Sequence, residues 1–132
     1  MRDQIKEKRG EQDLIFEFSI MSTVVFNEKH KEVLDALLLQ IPGVVAGRMF
    51  GYPAYYTGRK LFACIYEDGV GLKVPEKIAD SLVGQKGIVR FQPMGRRPMK
   101  EWIQINREHS EDYRNDQEIL KISIEYVSAA TK

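Results

Sequence analysis

Between Glu28 and Gln40 the apolar residues Val33, Leu34, Leu37 and Leu38, with Ile41 just beyond, recur at helical spacing and predict an amphipathic helix. Asn27 is suited to cap its start, because its side-chain oxygen can accept from the first unpaired N–H groups. Pro42-Gly43 stops it. His30 falls on the first turn, where a solvent-exposed histidine is expected. From Val44 onward the period shortens to that of β-strands. Strands are expected at Val44–Phe50, Ala54–Tyr56, Leu61–Tyr66 and Val70–Lys73. Gly51-Tyr52-Pro53 breaks the first pair, and Thr57-Gly58-Arg59 turns the second. Glu67-Asp68-Gly69 turns the third, with Asp-Gly supplying positive φ. Such short connections give an antiparallel meander.

Pro75 fits the first position of a second helix, since its missing N–H would be unpaired there. Ile78, Leu82 and Val83 form its buried side and Gly84 its exit. A fifth strand is expected at Val89–Gln92, then a polar loop Pro93–Pro98, then a sixth strand at Trp102–Ile105. Asn115 with Glu118 resembles a capping box opening a last helix from about Asp116 to Ala130. Ile119, Leu120, Ile124, Val127 and Ala130 are its stripe, broadened by Ile122 and Tyr126. The element order is α-β-β-β-β-α-β-β-α. It predicts an α+β domain with one antiparallel sheet of about six strands and helices packed on one face or its ends.

Composition changes this picture little. The 132 residues, 43% hydrophobic and 30% charged, suit one globular domain. The net charge is +1, yet from Ile41 to Arg107 eleven basic residues face five acidic ones. A solvated sheet face accounts for that excess more simply than a binding surface does. Residues 1–20 are charged and aperiodic until Phe16-Glu17-Phe18-Ser19-Ile20. They are set apart as an N-terminal extension, either a leader or a stretch upstream of a natural start at Met21, with the domain at 21–132. No run approaches the roughly 20 apolar residues of a membrane helix, and the acidic residues before Leu14 do not suit a signal peptide. The lone Cys64 leaves no disulfide framework and fits a reducing cytoplasm.

Candidate chemistry is sparse. His30 and His109 have no partner at metal-ligand spacing, so neither metal nor other cofactor is expected. Cys64 sits mid-strand between Ala63 and Ile65, which suits a packed thiol better than a nucleophile. No nucleophile elbow or phosphate loop is present. An enzyme is not expected. Two binding readings remain. Arg90, Arg96, Arg97, Lys100 and Arg107 cluster around the loop before Trp102, where guanidiniums could neutralise phosphates beside a stacking indole. Alternatively, Arg96 and Arg97 merely solubilise the loop and Trp102 faces the core. Phe50, Tyr52, Tyr55, Tyr56, Phe62 and Tyr66 place aromatics on both sheet faces. A face left uncovered by helices would be a tyrosine-rich interface for a protein partner or a second copy.

Several separated motifs resemble one family. Arg48-Met49-Phe50-Gly51, a strand with Tyr55 and Tyr56, the Gly58 turn, Phe62-Ala63, Leu72-Lys73, Gly95-Arg96-Arg97-Pro98 and Trp102 occur in that order. This arrangement resembles the TfoX N-terminal domains, named after regulators of bacterial competence, over about residues 28–130. Tyr52-Pro53 stands where that family commonly has a second glycine, and Arg97 is an addition to its loop. The resemblance implies a secretion-chaperone-like α+β fold, no catalytic residues, and a regulatory or adaptor role. Tyr52, Tyr55, Tyr56, Arg96, Arg97, Lys100 and Trp102 are the candidate contact residues. Sequence-tolerant nucleic-acid binding through the arginine loop is the alternative. The helical stripe carries its own test: Leu37→Ala should lower stability by about 2–5 kcal/mol in a urea melt, and a loss below about 0.5 kcal/mol would show that Leu37 is not core.

Overall fold

A computed structural model describes residues 24–130; the extension expected at residues 1–20 lies outside them. The chain runs α1 (Glu28–Leu38), β1 (Val44–Met49), β2 (Tyr52–Thr57), β3 (Lys60–Tyr66), β4 (Gly69–Lys73), α2 (Glu76–Leu82), β5 (Ile88–Arg90), β6 (Trp102–Ile105) and α3 (Gln117–Ala130). All six strands join one antiparallel sheet in the order β1-β2-β3-β4-β6-β5. The α+β class and the order of elements are those the pattern predicts. The first four strands are the expected meander. After α2 the chain returns to make the far edge, so β6 inserts between β4 and β5.

One face of the sheet holds the main core. Val44, Tyr55, Phe62, Ala63, Ile65, Val70, Leu72, Ile103 and Ile105 point into it from the strands, meeting Leu34, Leu37 and Leu38 of α1, Ala79 of α2, and Leu120 and Val127 of α3. Asn27 caps α1 as expected, accepting from the His30 N–H at 3.0 Å. Polar groups that enter this layer are paired. The Tyr55 hydroxyl donates to Asp35 Oδ1 at 2.6 Å, and that of Tyr113 to the Ile105 carbonyl at 2.8 Å. Buried Ser123 donates to the Phe62 carbonyl at 3.3 Å.

The other face carries a second apolar layer of Tyr52, Ala54, Cys64, Tyr66, Phe91 and Trp102. Its cover is a strap formed by the chain between β5 and β6, with Val24 and Phe26 packed beside it. Phe91 lies on the sheet, Pro93 is buried, and the Met94 N–H donates to the Tyr66 hydroxyl at 2.7 Å. A tight turn at Pro93–Gly95 then sends the chain back, where the Met99 N–H reaches the Phe91 carbonyl at 3.3 Å. Gly71 in β4 makes this possible. A Cβ there would lie 2.9 Å from Phe91 Cζ and 3.0 Å from Cys64 Sγ.

Several local expectations are corrected. Tyr52 and Pro53 belong to β2, and the break is Phe50-Gly51 alone. Pro53 is tolerated because β2 pairs with β3 only from Ala54 onward, so no ladder donor is lost on that side. In the β3–β4 turn the positive φ of 50° falls on Glu67, not on Gly69. Gly69 is a strand residue, and a side chain there would collide with Asn106 and Gln104. The fifth strand is shorter and earlier than expected. A 3-10 segment, Ser110–Asp116, runs directly into α3, so helical backbone replaces the capping start at Asn115. Ser123, not Ala130, completes the buried stripe of α3, and Ala130 is exposed.

Replacing Gly71 by alanine should therefore cost about 1–3 kcal/mol through overpacking. Combining it with Phe91→Leu should recover part of that loss in a denaturant melt. Purely additive losses would show that ring and glycine are not in contact.

Candidate interaction surface

The residues proposed from sequence divide sharply between the strap and the core. Tyr55 is buried against the helices, beneath Asp35, and its hydroxyl is pushed well above the ordinary tyrosine range by desolvation and by that carboxylate. Tyr52 is buried in the second layer, its ring centroid 4.7 Å from that of Tyr66. Trp102 is buried beside Phe91 at 5.6 Å, so its indole is core and not a stacking platform. Tyr56 is half-buried and spans Gly47 to donate to the Arg48 carbonyl at 2.6 Å. Phe62 is fully buried on the helix side. The tyrosine-rich face expected to stand open is thus closed, because the arginine loop expected at a free tip folds across it and Val24 and Phe26 pack against the same layer.

The arginine cluster also divides. Arg107 makes a two-pronged ion pair with buried Asp116, at 2.9 and 2.7 Å, and donates to the Lys86 carbonyl. Arg90 pairs with Asp80 and donates to the Lys100 carbonyl at 2.8 Å. Both are structural. Arg96, Arg97 and Lys100 remain exposed, and among the described residues no carboxylate lies within ion-pair distance of them. Lys73 stands half-buried 3.8 Å from Glu101.

What lies outward is a mixed apolar and cationic surface. Phe50 is 63% exposed at the β1–β2 turn, and the Arg96 guanidinium sits 5.8 Å above its ring. That contact joins the Arg48–Gly51 and Gly95–Pro98 motifs in space. Arg48 is exposed and folds over the turn to donate to the Gly51 carbonyl at 3.1 Å, while Met49 is half-buried behind it. Gly51 takes φ 88°, with Val24 against it. Gly58 at φ 57° and Gly95 at φ 73° shape their turns, and Pro98 is exposed. Among the described residues four other than glycine take the left-handed backbone, Phe50 at φ 51°, Met94 at φ 55°, Arg59 at φ 69° and Glu67 at φ 50°, and of these Phe50 and Met94 are the apolar pair. Both are exposed.

Two other groups could carry chemistry. Cys64 is fully buried and desolvation raises its pKa to about 12, so its thiol stays protonated and packs as an apolar group. His30, expected on the surface, is completely buried. Its Nε2–H donates to the Asp68 carbonyl at 3.2 Å, which leaves Nδ1 to accept from the Ser110 hydroxyl at 2.6 Å. The Asp68 carboxylate stands off at 3.7 Å and accepts instead from Asn27 Nδ2 at 2.8 Å. With Tyr113 edge-on at 4.8 Å, the imidazole is enclosed and joins α1, the β3–β4 turn and the 3-10 segment. Its first turn gave no hint of this, because burial comes from segments far along the chain.

The chain matches no known protein-family model, no characterised protein and no solved structure.

Burial lowers the pKa of His30 below 6.5, against a smaller opposing pull from Asp68. The unfolded chain then binds a proton that the folded chain refuses. Stability should fall as pH drops below about 6.5, before carboxylate titration dominates near about pH 4–5. Urea melts at stepped pH should show this slope, and His30→Gln should flatten it. An unchanged slope in the variant would place the titration elsewhere.

Proposed function

We propose that this chain is a non-enzymatic interaction module of the regulatory or adaptor kind, whose protein partner docks on the surface formed by Phe50, Met94 and Arg96. The observation that carries this reading is the pair of large apolar side chains held outward at positive φ. Each such residue costs about 1–3 kcal/mol of strain that glycine would avoid, and each leaves apolar area in water. Folding gains nothing visible from either exposure. Binding would. Aromatic, methionine and arginine side chains are the types enriched where proteins meet. The motif resemblance to TfoX N-terminal domains is in keeping with the same role, and two of its motifs are those joined by the Phe50–Arg96 contact.

Nucleic acid is the second reading, favoured by the unpaired Arg96, Arg97 and Lys100. It is weakened by the burial of Tyr52, Tyr55 and Trp102, which removes the aromatic faces on which bases would stack.

A photo-crosslinking phenylalanine analogue placed at Phe50 in the native cell separates the readings, with the same group at exposed Val89 on the far edge strand as reference. A discrete polypeptide adduct at position 50, absent at 89 and lost on Arg96→Ala, is the expected result. Nuclease-sensitive adducts would favour nucleic acid, and equal labelling at both positions would remove the docking surface.

A further inference from the structure

Granting that reading, the chemistry of the surface restricts its partner, and we infer that the occupant is an acidic peptide segment bearing at least one large apolar side chain. Charge is the first argument. Arg48, Arg96, Arg97 and Lys100 are exposed around Phe50 and along the strap. None of the described carboxylates pairs with them, and the four cations outnumber the two carboxylates exposed at the same end of the sheet as Phe50, Glu67 and Asp68 of the β3–β4 turn. The field here is therefore positive in a molecule whose net charge is only +1. It would raise the encounter rate with an anionic segment and disfavour a cationic one.

The second argument is the spacing of apolar and cationic groups. Phe50 lies under Arg96, so the guanidinium is held over a ring without being consumed by an ion pair. Its N–H groups remain free to grip a carboxylate in two-pronged fashion, while the ring and the flexible thioether of Met94 offer an adaptable apolar seat. Among the described residues nothing else on the strap competes for these donors: the Gln92 side chain contacts the Arg96 carbonyl, not its guanidinium.

Backbone geometry is the third. The Tyr66 hydroxyl, buried in the second layer, holds the Met94 N–H at 2.7 Å, and Pro93 is buried beside it. The strap's apex is thus fastened from below, so Met94 and Arg96 are presented by a supported turn and little ordering remains to be done on binding. A peptide is favoured over a nucleic acid because, among the described residues, Phe50 is the aromatic ring exposed at this surface and a guanidinium already faces it.

The test is selection of a phage-displayed random 12-residue peptide library on the immobilised full chain, followed by anisotropy of the enriched peptides at about 50 and 200 mM salt. A labelled single-stranded oligothymidine is titrated in parallel. The expected result is enrichment of net-acidic peptides containing an aromatic residue or leucine. Their binding should weaken with salt and fall more than about tenfold in both Phe50→Ala and Arg96→Ala/Arg97→Ala. Thermal melts of the variants confirm that these exposed positions leave the fold intact. Neutral or basic peptides that still depend on Phe50 would overturn the acidic assignment while leaving the docking surface standing. Peptides indifferent to Phe50, or no enrichment at all, would remove both. Oligothymidine binding tighter than any peptide and dependent on Arg96 and Arg97 would replace the peptide with a phosphate backbone.

Discussion

Close approach of the Phe91 ring to the backbone at Gly71 determines how the second face of the sheet is finished. An antiparallel sheet with helices on one side has a free face that must be either polar or covered. Here the strands put Tyr52, Ala54, Cys64, Tyr66 and Trp102 on that face, which is too apolar to leave wet. The ring of Phe91 settles between Tyr66 and Trp102, with centroids 5.3 and 5.6 Å away. It can do so only because β4 lacks a side chain beneath it. With Phe91 anchored, the chain from Gln92 to Lys100 has to cross the face before entering β6. The strap is therefore a consequence of packing, and its arginines are carried to the surface by that path.

The β3–β4 turn is fastened on both sides of the sheet. Beneath the helices, His30 binds the Asp68 carbonyl and Ser110. On the opposite face, Tyr66, the last residue of β3, binds the strap through Met94. The Asn27 N–H also donates to the Glu67 carbonyl at 2.9 Å, and Phe26 bridges to Glu67. Contacts from Phe26, Asn27 and His30 thus converge on both turn residues, Glu67 and Asp68, while the strap fastens the adjoining Tyr66. Such convergence explains how Glu67 can keep a positive φ in a turn that sequence rules would have given to glycine.

Periodicity gave the element order and most of the helix-side core, since the 3.6- and 2-residue repeats report directly which side of an element is apolar. Leu34, Leu37 and Leu38 in α1, and the alternation of Tyr55 with Tyr56, are cases in point. Long-range placement left no comparable trace. His30 sits in a polar first turn and is buried by residues about 40 and 80 positions away. The strap looked like an ordinary glycine- and proline-bearing loop because loop composition does not say what lies under it. One signal was available: Gly71, flanked by Val70 and Leu72 inside a strand, marks a place where another group comes close. Its partner, Phe91, falls within the expected fifth strand Val89–Gln92, whereas β5 ends at Arg90.

The same path of the strap bears on which residues can bind. Aromatic content drew attention to Tyr52, Tyr55 and Trp102, but each has neighbouring rings or hydrogen-bond partners that account for it within the core. Phe50 and Met94 have none sufficient to offset both exposure and a left-handed backbone. A cation–π contact at the surface contributes about 0.5–1 kcal/mol, less than the combined cost of the two strained positions. Arg96 therefore does not explain why Phe50 is there, although it does organise the surface around it. Arg59 and Glu67 also take positive φ and are exposed, but they keep charged side chains in water, whereas Phe50 and Met94 expose apolar ones. An exposed residue such as Val89 sits on an ordinary edge strand and carries no such strain.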